Sequence, residues 1–231
     1  MENGDTSRDI KRAKIRLLIR AVFFFAIFPA FLICLGVASQ YWQGWVYYGV
    51  ITVPAFIVMV YLCRHDPALL MRRLKSREKD KSQRLLVGLL KYISLAGLVV
   101  VGLDYRFQWS HVPAGITITA DIFAFLGYMI IFLVFRENTY ASRTLNVEEG
   151  QKVISTGPYA IVRHPMYSGA SLFYLVTPLA LGSFWAVILF TLLPLLLVFR
   201  ILREEKMLCK ELPGYLEYCQ KTRYRLIPFI W

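Results

Sequence analysis

The sequence predicts an all-α protein, a polytopic transmembrane helical bundle, and three observations support this prediction. The 231 residues are 57% hydrophobic and only 18% charged, with a mean hydropathy of +0.50, which is far from the composition of soluble domains. Two long runs contain no Asp, Glu, Lys, Arg or His: the 43 residues of 21–63 and the 35 residues of 165–199. The net charge of +12 therefore lies entirely outside these runs. A water-soluble globule is therefore excluded.

The apolar runs of the first 136 residues predict four membrane spans. A hydrocarbon core about 30 Å thick takes roughly 20 helical residues, so the first run is long enough for two crossings. Its break is predicted at Gln40–Gly44, where amide and aromatic side chains and a glycine are typical of an interface turn. An N-terminal signal peptide cleaved near Ala38 is the alternative, but the charged leader favours an anchored helix. The predicted spans are roughly 20–39, 45–63, 85–103 and 116–135.

The second apolar run, 165–199, has an awkward length. As one helix it would be about 53 Å long, which is too long for one crossing and short for two. Leu181-Gly182-Ser183 in its middle is typical of a turn. The sequence therefore predicts a tight hairpin of two short helices, with a single kinked and tilted helix as the alternative.

The distribution of basic residues predicts how the chain threads the membrane. Four segments, 1–20, 64–84, 136–167 and 200–231, contain 25 of the 27 Lys and Arg residues. By the positive-inside rule all four lie in the cytoplasm, which requires an even number of crossings between neighbouring segments. We therefore expect an integral multi-pass protein with six passes and both termini in the cytoplasm. In a prokaryote it would lie in the cell (inner) membrane.

The first polar segment of interest immediately precedes the predicted hairpin. The residue before a proline is pushed towards extended geometry, and proline is tolerated in the first turn of a helix, so we expect a helix to begin at Pro165. Its free amides and positive dipole end, with Arg163 and His164 immediately before them, predict an anion site suited to a carboxylate. A membrane-entry turn anchored by Arg163, His164 and Tyr167 is the alternative interpretation.

The second polar segment, 200–206, follows the hairpin. Arg200 and Glu204 are four residues apart, so they share one helix face and are placed to pair with each other or with a zwitterion. A solvated, charged helix end is the alternative. Further on, the aromatic and basic residues of 223–231 indicate a tail that lies on the membrane surface. The four cysteines form no CxxC pair and indicate neither a disulfide framework nor a metal site.

At these residues the sequence resembles the isoprenylcysteine carboxyl methyltransferase superfamily of integral membrane methyltransferases. The shared pattern is Gly157-Pro158-Tyr159 and Arg163-His164-Pro165-Met166-Tyr167, followed by Arg200 with Glu204-Glu205, Tyr215 with Tyr218, and Pro228. The resemblance covers roughly 138–231, and its ending is similar to prokaryotic members. It implies S-adenosylmethionine as the methyl donor, held at the cytoplasmic membrane boundary. It also implies two parts: N-terminal transmembrane helices, 1–136, with the basic loop 64–84, and a C-terminal methyltransferase region, 137–231.

The resemblance also implies roles for individual residues. Arg200 falls where the superfamily places an arginine that engages the substrate carboxylate, and Arg163 and Arg200 are the candidate catalytic residues. Thr144 and Gln151 depart from the Gln and His found at these positions in relatives. The implied cofactor-binding residues are Gln151, Lys152, Val153, Ile154, Tyr159, His164, Pro165, Met166, Tyr167, Glu204 and Glu205.

The chemistry expected of such a site needs no general base, because a carboxylate is already ionised at neutral pH. The expected function is methylation of a carboxylate on a lipophilic or prenylated acceptor that enters from the lipid bilayer, with no metal and no nucleic acid involved. Methylation of a phospholipid or another amine is an alternative, with His164 or Glu205 as the base that removes a proton. The sequence is also compatible with an NADPH-dependent enzyme similar to sterol reductases and with a non-catalytic membrane protein.

Overall fold

The structure is a computed structural model that describes residues 40–231, except 76–79, 142–146 and 148–149, together with Ala26, Pro29 and Ala30. Apart from these three residues, the predicted first span, 20–39, lies outside the described residues. Thr144 lies outside them as well. The described residues form seven α-helices and no strand. In order they are α1 (Trp42–His65), α2 (Pro67–Lys75), α3 (Lys81–Phe107), α4 (Ala114–Glu137), α5 (Pro165–Ala180), α6 (Trp185–Glu211) and α7 (Tyr215–Lys221), with a 3₁₀ turn at Gly157–Ala160 before α5.

Four of these helices, α1, α3, α4 and α6, are long and apolar enough to cross a membrane. The second, third and fourth predicted spans lie within α1, α3 and α4, so their helical structure is confirmed. By contrast, α5 has 16 residues, or about 24 Å of helix, and is shorter than a full crossing. The structure thus describes four candidate spans, and six passes stay a prediction.

The run 165–199 forms two helices, as predicted, and the single kinked helix is wrong. The turn between α5 and α6 includes Gly182, whose φ of +76° suits a residue without a side chain. Ser183 N–H donates to the carbonyl oxygen of Pro178 at 2.8 Å, which closes the end of α5. The second helix continues beyond Phe199 to Glu211. The charged residues that follow the apolar run include no Gly or Pro that would end the helix.

Two close helix crossings position this hairpin. At Gly169 of α5, an added Cβ would lie 2.6 Å from the carbonyl oxygen of Gly127 in α4, so these two backbones touch without side chains between them. At Gly97 of α3, an added Cβ would lie 2.5 Å from the ring of Phe190 in α6. Small residues permit such close approach between apolar helices. They fix the first part of α5 against α4 and the first part of α6 against α3.

Polar side chains tie the turn of the hairpin to the other helices. The Tyr41 hydroxyl donates to the carbonyl oxygen of Leu181, and the hydroxyls of Tyr47 and Thr177 lie 2.5 Å apart. Asp104 is almost completely buried and accepts hydrogen bonds from Ser110 and Ser183. Because a buried polar group is costly without a partner, these bonds specify where the turn docks.

Candidate active site

A cavity lies at the end of the α5–α6 pair that is far from the turn. The irregular segment 151–154, the start of α5 and the part of α6 that follows the apolar run contribute most of its lining, and residues after α4, in the 3₁₀ turn and in α7 complete it. Of the thirteen candidate site residues, twelve line this cavity and Glu205 does not. The lining residues are Asn138, Tyr140, Ala141, Gln151, Lys152, Val153, Ile154, Tyr159, Arg163, His164, Pro165, Met166, Tyr167, Arg200, Glu204, Met207, Leu208, Leu212, Tyr215 and Tyr218.

The start of α5 lies where the sequence predicts it, at Pro165. The amide N–H groups of Tyr167 and Ser168 both donate to the carbonyl oxygen of His164, at 3.0 and 3.1 Å. These two donors are therefore used within the fold. Fewer first-turn amides are therefore free for the predicted anion site, and the lining also includes residues with charged side chains, such as Arg200 and Glu204.

Tyr167 joins the two charged residues that α6 places in the cavity. Its hydroxyl donates to Glu204 Oε2 at 2.6 Å and accepts from Arg200 Nε at 2.9 Å. Arg200 Nη1 also donates to Oε1 of the buried Gln83 in α3, at 3.4 Å. The predicted shared face of Arg200 and Glu204 is present, and the tyrosine hydroxyl bridges the two side chains.

Glu205 differs from the expectation for a cofactor-binding residue. Consecutive helix residues point about 100° apart, and here Glu204 lines the cavity whereas Glu205 does not. Glu205 instead accepts from Arg163 Nε at 2.6 Å and from Arg225 Nε at 2.7 Å. It therefore binds the start of α5 to the C-terminal tail behind the cavity wall.

Arg163 lines the cavity, but several of its donors are used within the fold. Besides the bond to Glu205, its Nη1 donates to the carbonyl oxygens of Thr222 and Arg223, at 2.8 and 2.9 Å. Its backbone N–H donates to the carbonyl oxygen of Tyr224 at 2.9 Å. Four described hydrogen bonds therefore hold this arginine in place.

Two buried polar atoms of the lining lack a hydrogen-bond partner among the described residues: His164 Nε2 and the hydroxyl oxygen of Tyr215. His164 Nε2 lies 3.4 Å from Glu205 Oε1, which is within ion-pair range for a protonated ring, but the geometry is not that of a hydrogen bond. Because an unpaired buried polar group costs free energy, both atoms suit a cavity that receives a polar ligand.

Tyr159 holds together the part of the cavity wall that lies between the end of α4 and α7. Its hydroxyl accepts from Asn138 Nδ2 at 2.8 Å, and its carbonyl oxygen accepts from the Tyr218 hydroxyl at 2.7 Å. Burial raises the pKa of Tyr159 to about 12, so the side chain is neutral at physiological pH. The tyrosine thereby connects the end of α4 with α7 across the cavity.

Eight of the lining residues have no site role predicted from the sequence. The sequence does contain a pattern that points to Tyr215 and Tyr218. Both belong to the motif that carries the resemblance, and they are three residues apart on one face of α7. Met207 and Leu208 follow Glu204 by one helical turn, which also places them near the same face. The remaining four are Asn138, Tyr140, Ala141 and Leu212, for which no pattern in the sequence indicates the site.

A model of the phospholipid methyltransferase family matches residues 116–212. The match spans α4, α5 and α6 and covers less than half of the chain. It includes every lining residue except Tyr215 and Tyr218. This family belongs to the same superfamily as the one that the motifs resemble, and the match indicates a membrane methyltransferase.

Proposed function

We propose that this chain is an S-adenosylmethionine-dependent methyltransferase that methylates a carboxylate on a lipophilic acceptor. The observation that supports this most is the bridge from Arg200 through Tyr167 to Glu204, within a cavity at the end of an apolar helix pair. A polar cofactor and a membrane-dissolved acceptor can both reach such a place. The family match favours methyl transfer over a reductase or a non-catalytic protein.

The cavity fits S-adenosylmethionine by the chemistry of its lining. An ionised Glu204 offers only acceptor atoms, which suit the ammonium and hydroxyl groups of this cofactor. The unpartnered atoms of His164 and Tyr215 suit its remaining polar groups. The irregular segment 151–154 offers backbone groups, and Tyr159 and Met166 provide apolar surface. We assign these residues to cofactor binding, together with Pro165 and Tyr167.

When bound, S-adenosylmethionine supplies a methyl group activated by a sulfonium. The chain has to place an anionic acceptor beside that group and exclude water. Arg200 holds the acceptor carboxylate while remaining protonated, because the pKa of a guanidinium is far above neutral. The apolar side chains of Met166, Met207 and Leu208 keep water from the reacting groups. Positioning accounts for much of the acceleration in a reaction that needs no base.

We assign Arg163 and Glu205 to positioning rather than to contact with the reactants. Their mutual hydrogen bond and their bonds to the tail fix the backbone of His164 and the start of α5. The side chains that act on the ligands then stand on rigid elements, as accurate positioning requires.

Methylation of a phospholipid amine is the second candidate, and the description of the matched family favours it. An amine must lose a proton before or during transfer, so a base is needed. His164 lines the cavity and suits this role, whereas Glu205 does not reach it. The two candidates differ in the chemical bond that forms, an ester or a methylated amine.

We also propose that the chain crosses the membrane six times, with both termini in the cytoplasm, and that 137–231 is the methyltransferase region. The basic segments support this topology, which requires the predicted span 20–39 and the short α5 to cross in addition to the four candidate spans of the described residues. A cytoplasmic cavity would face the compartment in which S-adenosylmethionine is made.

Calorimetry on the purified full chain in detergent tests cofactor binding. We expect wild-type protein to bind S-adenosylmethionine, and Glu204→Ala and His164→Ala to bind it more weakly. Glu211→Ala, at an exposed position of the same helix, is the control and should bind like wild type. NADPH should not displace the cofactor. Folded wild-type protein without a heat of binding would contradict the proposal.

A further inference from the structure

The tip of the C-terminal tail, Ile227-Pro228-Phe229-Ile230, is apolar and exposed. Phe229 is 86% exposed and Ile230 is 77% exposed, the highest fractions among the large apolar side chains of the described residues. These four residues lie after α7 and outside the candidate membrane spans. In water, such a cluster would be unfavourable, because apolar surface is stabilised by removal from water.

The backbone of the tail fixes the tip in this exposed arrangement. The N–H groups of Ile230 and Trp231 donate to the carbonyl oxygen of Ile227 at 3.2 and 3.1 Å. The main-chain oxygen of Trp231 accepts from the N–H groups of three preceding residues, at 2.8 to 3.1 Å. Phe229 has a φ of +66°, a region that bulky residues rarely adopt. The turn therefore retains a strained residue while its apolar side chains point outwards.

The direction of the tail shows where the tip lies. Tyr224 O accepts from the N–H of Arg163, just before α5 begins, and Leu226 O accepts from the Ser168 hydroxyl at 2.5 Å, one turn inside α5. The tail therefore runs along α5 from its charged end towards its apolar part. The tip is the turn that follows Leu226, and it folds back so that the oxygen of Trp231 meets the N–H groups of Arg225 and Leu226 beside this part of α5.

We propose that this tip is an interfacial anchor that inserts into the leaflet of the bilayer on the side where the cavity opens. Its partner is the boundary between lipid headgroups and acyl chains, to a depth of about 5–10 Å. Arg223 precedes the tip and is exposed, and its positive charge suits anionic headgroups at that depth. The anchor is independent of the reaction catalysed at the cavity.

Insertion of the tip has a consequence for the cavity. The tail segment 222–226 provides the carbonyl oxygens that hold Arg163 and His164, and Arg225 pairs with Glu205. The lipid contact holds this segment against the start of α5. The bilayer thereby stabilises one wall of the cavity.

A fluorescent probe tests the insertion directly. An environment-sensitive nitrobenzoxadiazole label is attached to Phe229→Cys, in full-length protein whose four native cysteines are replaced by serine, and the protein is placed in phosphatidylcholine and phosphatidylserine vesicles. We expect blue-shifted emission and quenching by lipids brominated near the headgroup. The same label at Glu217→Cys, an exposed polar position of α7, should show neither effect. Emission from Phe229→Cys that matches the control overturns the proposal.

Proteolysis provides a second readout that does not depend on a label. Trypsin cleaves after Arg223 and Arg225, and the anchored tail should resist it in vesicles. Phe229→Ser with Ile230→Ser should be cut faster than wild type, whereas Phe229→Leu with Ile230→Leu should be cut at the wild-type rate. Equal rates for the serine and wild-type proteins contradict the anchor. Neither assay requires methyl transfer, so a failure of the proposed function would not affect the result.

Discussion

Tyr167→Phe tests the centre of the proposed site, because it removes one oxygen atom and leaves the ring. The lost hydroxyl donates to Glu204 at 2.6 Å and accepts from Arg200 at 2.9 Å. A hydrogen bond with a charged partner contributes about 1.5–3 kcal/mol, and about 1.4 kcal/mol corresponds to a factor of ten in rate. If one such bond stabilises the transition state, its loss lowers kcat/KM about 10- to 150-fold.

The assay is transfer of a labelled methyl group from S-adenosylmethionine to membrane lipids and proteins, with cofactor affinity measured by calorimetry alongside. The cofactor affinity should fall and the KM for the acceptor should rise, because the hydroxyl holds Glu204, which is assigned to the cofactor, and Arg200, which is assigned to the acceptor. Tyr92→Phe, at an exposed position of α3, is the matched control and should behave like wild type. Wild-type transfer and wild-type cofactor affinity in Tyr167→Phe would refute the reasoning.

Three further substitutions test the fold and the lining. Glu205→Gln leaves two arginines without their ionic partner, and should lower the free energy of unfolding by on the order of 3 kcal/mol in a thermal or denaturant unfolding assay in detergent; Glu211→Gln should not. Gly169→Ala forces a Cβ against a backbone oxygen and should cost about 1–3 kcal/mol in the same assay, whereas Gly88→Ala meets nothing within 4 Å and should be neutral or stabilising. Tyr215→Phe removes a buried hydroxyl that lacks a described partner, so the ligand-free protein should be at least as stable as wild type while calorimetry shows cofactor affinity weakened by about 1 kcal/mol; a large loss of stability without a change in affinity would contradict this assignment.

Features with a local cause could be predicted from the sequence. The helix that begins at Pro165 follows from the geometry that proline imposes on itself and on His164. The turn near Gly182 follows from the need for a residue that adopts positive φ between two apolar runs. The positions of α1, α3 and α4 could be predicted from the lengths of the apolar runs, because a membrane span consists of consecutive residues.

The features that the sequence did not reveal depend on contacts between distant residues. The pairing of Arg163 with Tyr224, and the hydrogen bond between Arg200 and Gln83, join segments that no periodicity connects. Glu205 was grouped with Glu204 because they are neighbours in a motif, although a helix points them in different directions. What distinguishes Glu205 is its pairing with Arg163 and Arg225, which are distant in sequence.

The most direct test of the central claim is the fate of a labelled methyl group. Vesicles that contain the purified wild-type chain and membrane lipids or prenylated peptides are incubated with methyl-labelled S-adenosylmethionine, and the products are treated with base. The account predicts label in the lipophilic fraction that base releases as methanol, and loss of this label in Glu204→Ala. Label that resists base would contradict carboxylate methylation and favour another acceptor, such as an amine. No transfer to any lipophilic acceptor would contradict the proposed methyltransferase.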